Sequence, residues 1–284
     1  MTIHKVTAED QKVLIENYAL FTPISHGSQS VDQPLSIMRA RDTKYDLEGK
    51  KDKFLQLVEI LNLFTDYVGT VQLQYVNCKT PTFYPVEESV AVEIINPRGH
   101  SPFASTLTSE NTKKLLKFCE KLPNLNVNSM LRFAIKRFNY AKISRIPQEK
   151  IVDFVVCLES LFGDPGSKTE LRYKFSLRIA LLHGKDPDDG KLLRRLFGLF
   201  YDARSYVVHG NDHQFKKTLR SIEKISNDWI NKLTTIAKDS IISFVNLKDN
   251  GIIDMAQVID ESAIDDIRRQ EIRTKAGLAP YESY

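Results

Sequence analysis

Arg204 and His209 close a helical run, Tyr201-Asp202-Ala203-Arg204-Ser205-Tyr206-Val207-Val208-His209-Gly210. An arginine holds a phosphate with two parallel N–H donors and keeps its charge, whereas a histidine, with an ordinary pKa of about 6.5, takes and returns a proton near neutral pH. Five positions amount to about 140° of rotation on an ideal helix. The two side chains therefore do not stack, but a long arginine and a histidine at the last turn can converge on one anion. Together they hold the chemistry to cleave RNA without a metal ion. The same residues also admit a purely structural reading. His209 would close the helix, its imidazolium favoured by the C-terminal dipole, Gly210 would supply a left-handed cap, and Arg204 would be an ion-pair residue.

Two further charges sit where an apolar face is expected. On a helix from Gln148 to Phe162, the stripe Ile151, Phe154, Val155, Leu158, Leu161 and Phe162 is flanked by Val152 and Val156, and Glu159 falls on or beside that second apolar surface. An unpaired carboxylate there is costly, so a partner is expected. On the next helix Arg178 aligns with Leu171, Phe175 and Leu182, which makes a Glu159–Arg178 ion pair the simplest hypothesis. The alternative is two partly exposed side chains that reach out to water. Arg204 repeats the anomaly, since it shares a line with Leu193, Phe197, Phe200 and Val208.

Other polar residues are better read as structure. His183-Gly184 resembles a helix C-cap. His213 follows His209 by four, a metal-pair spacing only if the helix runs on, and Gly210-Asn211 interrupts it. Lys191, Arg194 and Arg195, with Arg132, Lys136 and Arg137, read as solvated helix faces and are also the best candidates for an RNA-contacting surface. No P-loop, GxGxxG, GxSxG or HExxH motif is present, so nucleotide hydrolysis, dinucleotide redox chemistry, serine esterase and zinc protease readings have no support. Cys78, Cys119 and Cys157 are odd in number and far apart, which argues for buried or reduced thiols rather than a disulfide framework or a zinc site. No metal and no cofactor is expected.

The elements that must position these residues are mostly helices. From Thr112 onward the pattern is helical, in segments Ser129–Ile143, Gln148–Phe162, Thr169–His183, Lys191–Val208 and one long helix from about His213 to Val245. Breaks are expected at Pro123, Pro147, 163–166 and 186–190. The long helix carries Phe215, Leu219, Ile222, Trp229, Leu233 and Ile236 at spacings that make an apolar stripe. Residues 123–250 thus read as a helical bundle, and 251–284 as a polar tail with one helix near Ala263–Arg273 and a loose end. Residues 1–122 read as a smaller α+β region, with a helical segment Asp52–Tyr67, strands around Val71–Tyr75 and Ser89–Ile95, and turns at Pro81, Pro85, Pro97, Gly99 and Pro102. The fold class is mainly α.

With 284 residues, 42% hydrophobic and 27% charged, the chain has the composition of a folded globular protein and ample length for a core. A net charge of +4 permits nucleic-acid binding without demonstrating it. No apolar run approaches the ~18 residues of a membrane helix, and Met1-Thr2-Ile3-His4-Lys5 does not open an apolar signal core. A cytoplasmic location and no membrane partner are expected.

Three pieces of sequence together resemble the HEPN superfamily, and in particular its ApeA-like branch. They are Cys157-Leu158-Glu159-Ser160-Leu161-Phe162, the run from Glu170 to Leu182, and Tyr201 to Gly210, which carries the family's R-x4-6-H motif as Arg204 and His209. The likeness covers about 60 residues, extends as a bundle over about 120, and says little of residues 1–120. It implies an all-α bundle that commonly dimerises so that two such motifs face each other and form one composite site. In active members that site is a metal-independent endoribonuclease, in which a ribose 2′-OH attacks the adjacent phosphate. By that resemblance His209 is the general acid or base and Arg204 holds the scissile phosphate, with Glu159, Arg178, Tyr201 and Ser205 in support. The position after the arginine, often Asn, Asp or His in HEPN ribonucleases, is Ser205, a weaker positioner. Other members act as non-catalytic dimerisation modules that bind RNA, a nucleotide or a protein partner. The ApeA-like branch is associated with anti-phage defence. A toxin-like nuclease with a regulatory or antitoxin partner is one expectation, and a third reading makes the N-terminal region a sensor that restrains the bundle until an infection signal arrives.

Overall fold

The computed structural model describes residues 22–23, 37–40, 56, 59–64, 70–75, 90–95, 109–122, 129–163, 170–252 and 254–282. The chain divides into two compact units, residues 1–120 and 121–284. Helix dominates the described residues, so the fold is mainly α. The turns expected around Pro81, Pro85, Pro97, Gly99 and Pro102, Cys78, and the breaks at Pro123 and 164–166 lie outside the described residues.

In the first unit β1 (Thr22–Pro23), β2 (Ile37–Ala40), β3 (Thr70–Tyr75) and β4 (Val90–Ile95) pair in the order β1-β2-β4-β3, with all neighbours antiparallel. Thr70 faces Ile95 and Tyr75 faces Val90. Helix α1 spans Ser109–Lys121. Its Phe118 meets Phe64, from the helical stretch 59–64, edge to face at 5.5 Å.

The second unit is a helical bundle. Helix α2 (Ser129–Ile143) packs on α3 (Pro147–Phe162), α4 (Leu171–His183) on α5 (Pro187–Val208), and α3 also touches α4, α5 and α7 (Trp229–Asp249). Helix α3 is central for the reason its sequence suggests. Ile151, Val155, Cys157 and Leu158 are all 0% exposed and lie with Phe154, Leu161 and Phe162 on one broad buried arc, whereas the second apolar side expected at Val152 and Val156 is only half-buried. Phe138 packs edge-on to Phe154, Phe162 to Phe244, and Phe197 to Phe200, with Trp229 beside Phe200. Each such ring removed from water contributes about 1.5–3 kcal/mol. Burial pushes the Cys119 thiol up to about 12 and raises that of Cys157, so both are inert buried thiols as expected.

Three boundaries differ from the sequence reading. Helix α5 begins at Pro187 rather than Lys191, because Asp186 caps it: its side chain accepts from the N–H groups of Asp188 and Asp189 at 2.9 and 2.8 Å, with proline in the first turn. The Asp/Pro/Gly stretch is a helix start, not a loop. The long terminal helix is two helices, α6 (Asp212–Ile225) and α7, because Ser226 adopts an extended conformation and Asp228 begins the next turn. Past Gly251 an additional helix, α8 (Met255–Glu261), precedes the helix expected near Ala263–Arg273, which is α9 (Asp266–Ala276), and the end is packed rather than loose, with Glu282 N–H donating to Lys185 O at 2.8 Å. Ile259, Ile272 and Ala276 are buried, and Arg273, 2% exposed, donates to the carbonyls of Leu182, Gly184 and Ala279. The seven residues of α8 are too few to show a helical period in the sequence. No described helix is long and apolar enough to cross a membrane.

Candidate functional site

The end of α5 is closed by a complete left-handed cap. His209 N–H donates to Ser205 O at 3.0 Å, Gly210 N–H to Val207 O at 3.1 Å and Asn211 N–H to Tyr206 O at 2.8 Å. This is the paired hydrogen-bond pattern of a Schellman turn. Gly210 has φ +69°, where an L side chain is strained, which is why a glycine stands here. The Asn211 side chain then accepts from Gln214 N–H at 3.2 Å and starts α6, so His209 and His213 do not share one helix. The cap leaves the His209 imidazole exposed, with no side-chain hydrogen bond or ion pair among the described residues.

One turn and a half earlier on α5, Arg204 points to α3. Its guanidinium Nη2 lies 3.4 Å from Glu159 Oε2, and both side chains are about a quarter exposed. Glu159 therefore has the partner its setting demands, but that partner is Arg204 and not Arg178. Burial pushes the Glu159 carboxyl above its ordinary range, and the Arg204 charge pulls it back. The Nε of Arg204 is buried without a hydrogen-bond partner among the described residues. One donor of the guanidinium is thus idle inside the protein.

Arg178 is committed elsewhere. It is 3% exposed, grips Asp260 of α8 through Nε at 2.8 Å and Nη2 at 2.6 Å, and donates through Nη1 to Phe162 O at 2.7 Å. The last carbonyls of α3 lack helical partners, so a guanidinium there both satisfies an acceptor and suits the negative helix end. Asp260 is 82 positions away on an element hidden in the sequence, so nothing local announced this pair.

Tyr201 lies one turn before Arg204 and packs its ring at 5.6 Å from Phe175. Burial first, and then the Glu159 carboxylate, push its hydroxyl pKa up. Ser205 enters through its carbonyl, which holds His209 N–H. Next to Arg204, residues of α2, α3, α4 and α5 line a cleft of about 600 Å³. Glu159, Tyr201 and Arg178 border it with Phe133, Phe175 and Lys174. Phe133 and Lys174 carried no signal of a cleft, because their juxtaposition exists only once three helices pack.

The structure thus brings Glu159, Tyr201 and Arg204 into one cluster, sets Arg178 beside the same cleft with its charge spent, and leaves His209 at the exposed helix end. His183 is structural. It is buried, its Nε2 hydrogen-bonds Ser240 Oγ at 2.8 Å, and burial and the charge of Arg273 push it down to about 3, so it stays neutral. No protein-family model, no curated protein and no solved structure matches the chain.

Proposed function

We propose that the chain is a metal-independent endoribonuclease of the HEPN type, working as a homodimer in which two α5 ends face each other across a composite site. The observation that carries this reading is the state of Arg204. Its guanidinium comes no closer than 3.4 Å to Glu159 and keeps a buried, unpartnered Nε, on the same helix end that exposes His209. With the Arg204 side chain 29% exposed, its terminal guanidinium nitrogens retain donors for a phosphate. On this reading Arg204 binds the scissile phosphate and stabilises its developing charge. His209 takes the proton of the ribose 2′-OH as that oxygen bonds to phosphorus. The P–O5′ bond breaks, a proton passes to the leaving O5′, and the products end in a 2′,3′-cyclic phosphate and a 5′-hydroxyl. Glu159 positions Arg204, Ser205 fixes the His209 backbone, and Tyr201 borders the phosphate. RNA, a second copy and a restraining partner or N-terminal α+β region would make this a cytoplasmic defence nuclease or toxin of the ApeA-like kind.

A second reading draws on the placement of His209 outside the cleft that Glu159, Tyr201 and Arg178 line. In it the dimer is a non-catalytic HEPN module that binds RNA, a nucleotide or a protein partner. Purified protein assayed with RNA in EDTA separates the two: turnover lost in Arg204→Ala and His209→Ala supports the nuclease, and binding without turnover supports the module.

A further inference from the structure

Helix α2 carries four cations, Arg132, Lys136, Arg137 and Lys142, and not one Asp or Glu. One face of it is core, with Leu131, Ala134, Ile135 and Phe138 buried. The opposite face presents two large rings to solvent, Phe133 at 41% exposed and Tyr140 at 44%. Between them stand the cations. The Arg137 guanidinium lies 5.1 Å from the Phe133 ring centroid and 5.9 Å from that of Tyr140, and Lys136 Nζ lies 5.8 Å from Tyr140. Asp153 of α3 takes one Arg137 hydrogen bond at 2.9 Å, which partly neutralises that charge and locks the guanidinium between the rings. Phe133 also lines the cleft beside Glu159 and Tyr201.

We propose that this face of α2 is a track for single-stranded RNA, in which Phe133 and Tyr140 stack bases, Arg132 and Lys136 meet the backbone phosphates, and the strand is led toward the cleft beside Arg204. The inference rests on the ribonuclease reading and gives it a substrate class. Exposed rings interleaved with cations bind unpaired strands because every base has a stackable face, whereas bases inside a duplex are not accessible to them. Seven positions along a helix separate the rings by about 10 Å, room for two to three unpaired nucleotides. A helix with no carboxylate of its own favours a polyanion over an acidic-and-basic protein surface.

The test uses the full-length His209→Ala protein, so that binding is read without turnover, with fluorescein-labelled unstructured oligouridylate in EDTA and a double-stranded RNA as competitor. Phe133→Ala and Tyr140→Ala should each weaken binding about fivefold or more without changing its salt dependence. Lys136→Gln should flatten the salt slope by about 0.7. Tyr140→Phe, which keeps the ring, should bind like the parent, and the duplex should compete poorly. Unchanged affinity in both alanine variants, in a parent that binds the strand, overturns the track and leaves the nuclease reading standing. No strand binding by the parent also overturns the track, while the nuclease reading is decided separately by cleavage of mixed single-stranded and structured RNA by wild type. Because both rings are exposed, circular dichroism of each variant should match the parent.

Discussion

The Arg204 guanidinium meets the Glu159 carboxylate at 3.4 Å across the packing of α5 on α3. Two half-buried charges in one partnership means that removing either leaves the other uncompensated. If Glu159 positions Arg204, Glu159→Ala should lower RNA cleavage on the order of tenfold to a hundredfold. It should cost only about 1–3 kcal/mol in stability. Glu159→Gln, which can still accept a hydrogen bond, should recover part of the rate. Kinetics and urea melts on the two variants check this; wild-type rates in both would make Glu159 a structural residue alone.

Arg178 should matter to folding. Its buried guanidinium is bonded to both Asp260 oxygens and to Phe162 O. Arg178→Ala should cost about 3–5 kcal/mol in a urea unfolding curve, and Arg178→Lys should not recover it, since an ammonium cannot make the two-pronged contact. Loss of RNA cleavage in a fully stable Arg178→Ala protein would instead assign it to the site.

His183 gives stability a pH dependence of known sign. Folded, it titrates near 3; unfolded, near its ordinary 6.5. Above about pH 6.5 both states are neutral and its burial is uncontested. As the pH falls through 6.5 toward 3, the unfolded chain takes up a proton that the folded one refuses. Wild-type stability then drops by at most about 1.4 kcal/mol per pH unit from this group. In His183→Gln that contribution is absent, so the stability gap between wild type and variant should narrow on acidification. Urea midpoints at pH 7 and pH 5 measure the gap.

The packed C-terminal segment predicts that Arg273→Ala is strongly destabilising, by about 3 kcal/mol or more, because three carbonyls lose their donor at once. Guanidinium denaturation of the full chain reads the effect. A variant as stable as wild type would mean that the segment does not contribute to the bundle.

Much of the bundle was legible because it follows from helical periodicity. Helix α2 spans Ser129–Ile143 as its pattern predicts, and α3 is buried along its Ile151, Phe154, Val155, Leu158 and Phe162 stripe, though Val152 and Val156 beside it are only half-buried. The Gly210 cap was legible too, since the residue types of a Schellman turn are local. What escaped was long-range. That Glu159 belongs to Arg204 and Arg178 to Asp260 depends on which helices touch, and helical spacing places a charge on a face without saying what that face meets. Pro187 misled for the opposite reason: proline breaks a helix interior but opens a first turn, and Asp186 before it is the deciding residue.

The most direct measurement incubates purified wild-type protein with mixed single-stranded and structured RNA in EDTA, beside Arg204→Ala and His209→Ala, and identifies the product ends. Fragments ending in 2′,3′-cyclic phosphate, formed by wild type and lost in both variants, are the predicted result. A folded, dimeric wild type that leaves the RNA intact, or variants that cleave as wild type does, would contradict the assignment of Arg204 and His209 to catalysis.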